Sequence, residues 1–435
     1  MTIAPAIEGV ARPPKEKGSR FTGLLATAGR YTISASGPVA TSAAHFLISL
    51  VFMREMFAAQ FGLFSFVMVI VPFCMSMIAA ALSLPITRSL DRSGNPDARI
   101  VATSLKMNIL LSGLAAVIVS GALLVAGAPL RVAVMMGLYG GVMSCRWFLR
   151  CFANARGQVT RAVTSDLIYA GGLLASLAFM ELVHHVHLTT GATLMLVSAI
   201  AGLAPFGFKL LVRDHLAAIK GGRLGDYGLT FRDLTRWSLL GVMLTEVTVN
   251  AHAYLVTFLS GPGAFALLAL GQLLMRPIAL VQSTLPDIER PVMTRRIKAD
   301  DMISLRRVAS EFRLALMAVW LGTVLLAAGM LVWFPDLLLK NHYATGDVIM
   351  VTAITVAIML ARNFRTPLAT LLQAAGEFKA LAKISGYTSV ISILATLALL
   401  IALGPIQSLG GILLGELVTL YRCHRLATQW RARHA

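Results

Sequence analysis

The 435-residue chain is 57% hydrophobic and only 13% charged, with a mean hydropathy of +0.77. A soluble domain carries about 25% charged residues, so this composition excludes an ordinary water-soluble globule and predicts an all-α protein that crosses a membrane many times. The formal net charge of +18 raises nucleic acid as a partner. The basic residues fall in short blocks between apolar runs, with no aromatic-studded basic domain beside them, and this argues against it.

Residues 1–20 are polar, with Pro13, Pro14, Lys15 and Lys17, and lack the apolar core of a cleavable signal. A cytoplasmic tail is expected over 1–27. Twelve apolar runs follow, at roughly 28–52, 61–84, 107–127, 130–152, 164–183, 189–211, 236–259, 263–286, 311–334, 345–367, 384–404 and 407–426. Each is near the about 20 residues that span a bilayer as a helix. The first is rich in Ser, Thr and Gly, which suit close helix packing or a wetted face. The expected organisation is a six-helix unit over 28–211, a linker over 212–235, a second six-helix unit over 236–426 and a cytoplasmic tail over 427–435.

Sidedness follows from the basic residues. Arg12, Lys15, Lys17 and Arg20 lie in the tail, Arg88, Arg92, Arg99 and Lys106 follow the second run, and Arg156 and Arg161 follow the fourth. The central linker brings Arg213, Lys220, Arg223, Arg232 and Arg236, and the link after the eighth run Arg290, Arg295, Arg296, Lys298, Arg306 and Arg307. The alternate connections hold only Arg54, Arg131 and Lys340. The positive-inside rule then places both termini in the cytoplasm. The connections on the other side are short, about a dozen residues at most, which is too few for a folded domain.

The stretch 236–286 organises the second half. Two apolar runs flank the turn Ser260-Gly261-Pro262-Gly263, with Glu246 near the middle of the first and Arg276 near the middle of the second. A charge facing lipid costs roughly 3 kcal/mol on insertion scales, so both are expected to face protein or water. The layout has a precedent in Phe57-Ala58-Ala59-Gln60-Phe61-Gly62-Leu63, which aligns with Gly261-Pro262-Gly263-Ala264-Phe265-Ala266-Leu267. Likewise Ala155-Arg156-Gly157-Gln158, preceded by Arg146, parallels Ala374-Ala375-Gly376-Glu377, preceded by Arg365. Like-oriented repeats predict two halves about a pseudo-twofold axis normal to the membrane.

Glu246 and Asn250 share a helix face, and Thr245, Thr248 and His252 share another, as expected for a helix lining a hydrated cavity or bonding to its neighbours. Arg276 precedes Pro277, and a guanidinium forks onto phosphate through two donors. It stands equally well as the partner of Glu246. Arg146 with Arg150, and Arg362 with Arg365, occupy comparable inner thirds of the fourth and tenth runs. Arg150 fits snorkelling to lipid phosphates, whereas Arg146 and Arg365 are expected to face each other across an inner vestibule. Arg54-Glu55 closes the first run above Ser42, His45 and Ser49. His45, His252 and Glu246 are candidates for proton coupling. Cys74, Cys145, Cys151 and Cys423 lack metal-ligand spacing, and His184, His185 and His187 have no carboxylate or cysteine beside them, so neither metal, disulfide nor cofactor is expected.

Phe46-Leu47-Ile48-Ser49-Leu50-Val51-Phe52-Met53-Arg54 followed by Phe61-Gly62-Leu63-Phe64-Ser65-Phe66 resembles the first hairpin of polysaccharide flippases of the O-antigen type. The Gly261-Pro262-Gly263-Ala264-Phe265 turn and the segment Leu372-Gln373-Ala374-Ala375-Gly376-Glu377-Phe378-Lys379 are similar to the corresponding parts of its second half. The first turn departs from the pattern, reading Phe57-Ala58-Ala59-Gln60 where a Leu-Gly-Pro type is usual. That family shares a superfamily with lipid II flippases and multidrug-and-toxin exporters. The resemblance implies two six-helix bundles around a cavity that opens alternately to either side of a bacterial inner membrane. It implies an undecaprenyl-diphosphate-linked oligosaccharide as substrate, moved to the periplasmic leaflet with membrane lipids and polysaccharide assembly proteins as partners. Arg54, Arg146, Arg276, Arg362 and Arg365 are then the cationic candidates for the diphosphate, with Glu246 and Asn250 on the cavity wall. The alternatives are a cation exporter of the same superfamily, which needs acidic cavity residues, and a membrane polysaccharide polymerase or ligase, which needs a sizeable outer loop.

Overall fold

The computed structural model describes residues 20–83, 86, 98–183, 186–221, 225–333 and 343–433. The residues expected in the tail before Arg20, with Arg88, Arg92, His184, His185, Arg223 and Lys340, lie outside the described residues, as do the side chains of Thr245 and Thr248. All secondary structure among the described residues is helical.

In the first half α1 spans Arg20–Glu55, α2 Ala58–Ile78 (extended by a π turn to Ser83), α3 Ala98–Val125, α4 Leu130–Ala155, α5 Val159–Leu182 and α6 Leu188–Ala201. The linker forms the short helices α7 (His215–Gly221) and α8 (Gly225–Thr230). The second half holds α9 (Arg236–Ser260), α10 (Pro262–Leu274), α11 (Arg276–Lys298), α12 (Met302–Trp333), α13 (Thr345–Ala374), α14 (Phe378–Leu403) and α15 (Leu409–Arg433). Nine of these helices are long and apolar enough to cross a membrane, and α10 with α11 meets the same test as one bent span. The two remaining long helices, α9 and α15, carry Glu246 and Glu416.

The two halves repeat one packing scheme. In the first, α4 lies against α3 and α6, and α5 against α1 and α6. In the second, α13 lies against α12 and α15, and α14 against α9 and α15. The matched turns agree in detail. After α4, the Gly157 amide donates to the Asn154 carbonyl (3.0 Å) and the Gln158 amide to the Ala153 carbonyl (2.8 Å). After α13, the Gly376 amide donates to Gln373 (3.1 Å) and the Glu377 amide to Leu372 (3.0 Å). Gly157 and Gly376 take φ +71° and +82°, the left-handed conformation that ends a helix at low cost only for glycine. The repeat seen in short sequence matches is therefore one of backbone structure.

Two features differ from expectation. The first helix begins at Arg20 rather than near residue 28. The eighth run is broken at Met275 into two helices inclined by 62°. Pro277 has no amide to donate, so the Leu273 carbonyl loses its partner one turn back, which frees the helix to bend there.

Call the side bearing the Arg-rich connections the basic end and the other the far end. The lobes meet mainly through α2, which packs on α10 and α9. At the far end Gly62 lies so close to the second half that a Cβ built on it would sit 1.7 Å from the Pro262 carbonyl oxygen. Around that contact Phe66 meets Tyr254, Phe258 and Phe265 edge to face, with ring centroids 5.9, 5.5 and 6.5 Å away. Such pairs add about 0.5–1.5 kcal/mol beyond the area they bury. The elements that follow the two turns aligned in sequence thus meet at the far end.

Gly62→Val leaves this contact no room. Spin labels on the exposed residues Phe57 and Ser260 should report a longer separation than in the unsubstituted chain; an unchanged distance distribution would show that the far end is not held by this contact.

A cavity between the lobes and two clamped carboxylates

Between the lobes lies a cavity of about 270 Å3. The first half contributes Ser49 of α1 and Phe61, Phe64, Ser65 and Met68 of α2 to its wall. The second contributes Asn250 and His252 of α9, Gln272 of α10, Arg276 of α11 and Thr355 and Arg362 of α13. A second cavity of about 290 Å3 lies between α9, α13, α14 and α15 and shares Val249, Arg362 and Ile412 with the first, so Arg362 stands where the two meet.

Each lobe buries one carboxylate between two guanidiniums. In the first, Asp166 of α5 is 4% exposed and pairs with Arg146 (3.0 Å) and Arg150 (2.9 Å) of α4. Arg146 also lies over the Tyr169 ring at 4.4 Å. The Tyr169 hydroxyl is 2.7 Å from Tyr139 and 2.7 Å from His45 Nε2, so the network runs from the clamp to α1. In the second lobe, Glu416 of α15 pairs with Arg362 (2.8 Å) and Arg365 (2.8 Å) of α13. A charge transferred unpaired into low dielectric is penalised by several kcal/mol, so these pairs are the condition for placing arginine at this depth. Two cations against one anion leave each clamp with a net positive charge.

Arg276 is held differently. It opens α11 directly after the break at Met275, on the cavity wall. Among the described residues it makes no ion pair, and its charge bears on His45 and Tyr139 across the lobe boundary. The partnership with Glu246 that the sequence left open is not formed. Glu246 instead accepts from Ser76 of α2 (3.0 Å) and Asn250 (3.2 Å), which ties the lobes together through a hydrogen bond.

The expected meeting of Arg146 and Arg365 across a vestibule is also not what the structure shows. Each turns into its own lobe, because the countercharge that permits its burial lies there. Arg150 serves the Asp166 clamp rather than snorkelling. Arg54 lies outside the cavity wall, half exposed and paired with Glu55 at 3.1 Å. Of the proton-coupling candidates, His252 is on the cavity wall and hydrogen-bonded to Gln272, Glu246 bridges the lobes, and His45 is behind Tyr169. Sequence reasoning passed over Asp166, Tyr139, Tyr169 and Gln272 and left Glu416 without a role. Asp166 had a signal: counted from the Gly157 turn, it lies at about the same depth as Arg146 and Arg150, near 1.5 Å per residue on antiparallel helices.

No family model and no curated protein matches the chain. Solved structures do match. The inward-facing conformation of a multidrug resistance MATE family transporter of the MOP superfamily superposes with a TM-score of 0.68 at 12% identity, over 92% of this chain and 98% of that one. The lipid II flippase MurJ in an inward closed conformation gives 0.65 at 10% identity, over 91% and 87%. The outward-facing conformation of a MATE family transporter gives 0.55 at 14% identity, over 96% and 97%. The chain has their fold. At such identities the likeness extends to architecture and stops short of substrate.

Asp166→Asn keeps the shape of the first clamp and leaves two buried guanidiniums facing each other. Breaking a buried pair costs about 3–5 kcal/mol, so the purified protein should lose several degrees of Tm or fail to accumulate, while Arg54→Ala should leave Tm unchanged. Equal melting curves for Asp166→Asn and the unsubstituted chain would mean that the clamp carries no stability.

Proposed function

We propose that this chain is a transporter that moves the anionic head of a lipid-linked oligosaccharide across the membrane by alternating access. The observation that carries the reading is the charge of the central cavity: Arg276 and Arg362 are on its wall, and no carboxylate is among the described wall residues. A diphosphate supplies the countercharge that Arg276 lacks, and guanidinium–phosphate pairs are among the strongest hydrogen bonds available. The prenyl tail needs no aqueous site and stays in lipid at the lobe margins. Undecaprenyl-diphosphate-linked oligosaccharide for cell-surface polysaccharide is therefore the substrate class we assign.

The positive-inside rule assigns the basic end and both termini to the cytoplasm, and a bacterial inner membrane is the matching location. With the lobes in contact at the far end through Gly62 and Phe66, the head would be loaded from the cytoplasmic leaflet and released once that contact parts. The cation-exporter reading has less support, since Glu246 is engaged with Ser76 and Asn250 and the cavity arginines repel cations.

The test is flipping of fluorescent undecaprenyl-diphosphate oligosaccharide in proteoliposomes, read by accessibility to a membrane-impermeant lectin. A lost charge-assisted hydrogen bond is worth about 1.5–3 kcal/mol, so Arg276→Ala should slow flipping by roughly tenfold or more with Tm preserved. Arg54→Ala should flip normally. Flipping by Arg276→Ala at the full rate removes the cationic-site proposal. Uptake of a cationic dye that Glu246→Gln abolishes, with no lipid flipping in either protein, establishes the exporter instead.

A further inference from the structure

Away from the central cavity, the outer wall of the second lobe carries three arginines that the transport reading does not use. Arg306, Ala309, Ser310 and Arg313 fall on one face of α12, at the spacing of one helical stripe, and all four line a groove of about 440 Å3 against α13 and α15. Arg431, from the last turns of α15, lines the same groove. The remaining wall is apolar and includes Phe364 and Leu368 of α13 and Leu420 of α15. An adjoining chamber of about 340 Å3 shares Arg306, Ala309 and Arg431 and is also lined by Asp300.

Nearby arginines on other faces are neutralised. Arg307 pairs with Glu311 (2.8 Å), Arg296 with Asp301 (3.2 Å) and Arg433 with Glu377 (3.1 Å). Among the described residues, none of Arg306, Arg313 and Arg431 has a carboxylate partner, and the first two repel the third. Lone arginines at a membrane boundary each snorkel to a different head group. Here three converge from two helices on a single concavity, an arrangement that a shared anion relieves. Arg313 lies within the apolar run of α12, so the groove opens at the level where lipid head groups meet acyl chains. Basic pockets between membrane helices on the Arg-rich side are suited to anionic lipid heads.

We propose that this groove holds one anionic phospholipid, with its phosphate between Arg306, Arg313 and Arg431 and an acyl chain along Phe364, Leu368 and Leu420. Occupancy cross-links α12 and α15 electrostatically at the basic end, independently of any head group in the central cavity.

The experiment uses the full chain in phosphatidylcholine nanodiscs titrated with phosphatidylglycerol, with retained lipid counted by native mass spectrometry. One tightly retained phosphatidylglycerol is expected. Each arginine near an anionic phosphate contributes about fivefold, so Arg431→Gln alone should weaken retention by about that factor and the triple Gln variant by on the order of a hundredfold. Arg307→Gln, on the ion-paired face, should change nothing. Arg431 is exposed near the end of its helix, so the single variant keeps the test decisive if the triple variant does not fold. Retention that is equal for phosphatidylcholine, or unaltered in Arg431→Gln, overturns the proposal. So does displacement of the lipid by millimolar glycerol 3-phosphate, which would make this a site for a soluble phosphate. Flipping can fail while this retention survives, so the two proposals fall separately.

Discussion

An arginine can sit deep in a membrane protein only where a carboxylate or water meets it. That constraint decides the interior of this chain. Among the described residues it is met by protein at Asp166, between Arg146 and Arg150, and at Glu416, between Arg362 and Arg365. Each is a two-to-one arrangement, so neutralisation is incomplete. The clamps use different helices for their acids, α5 in one lobe and α15 in the other, although the arginines come from the matched helices α4 and α13. The backbone repeat is thus closer than the repeat of the charges it carries.

Arg276 is the exception that gives the cavity its character. Its helix is broken immediately before it, and the break sets the residue at the N-terminal end of α11 rather than in mid-span. The partial positive charge of that helix end adds to the guanidinium. The wall therefore presents concentrated positive potential at the lobe boundary, with Glu246 occupied by Ser76 and Asn250. An interior that binds cations has the opposite arrangement, with acids unpaired and bases clamped.

The lobes are joined where they approach most closely. Gly62 admits the Pro262 backbone because it has no Cβ, and Phe66 gathers three rings of the second half about itself. Steric closeness of this kind is two-state: the surfaces interlock or part, with little between, because packed aromatic rings do not deform gradually. The hydrogen bond from Ser76 to Glu246 is of another kind, since two polar groups that separate can each find water. The lobes are thus held together by packing at the far end and by polar contact elsewhere.

Residue order alone determined the helical class, the approximate place of most of the long helices and the internal repeat. These depend on local quantities: run length, breaker residues and the clustering of basic side chains between runs. Gly157 and Gly376 were legible because a left-handed helix end asks for glycine whatever surrounds it. The candidate site was legible only as a set of charges. Which arginines are neutralised and which remains open depends on partners distant in sequence: Glu416 is 54 residues from Arg362, and Ser76 is 170 from Glu246. Arg146 and Arg276 look alike in a sequence, each a cation in an apolar run. Tertiary structure separates them, because ion pairing is set by distance in space, and only packing brought Asp166 to one and a cavity to the other.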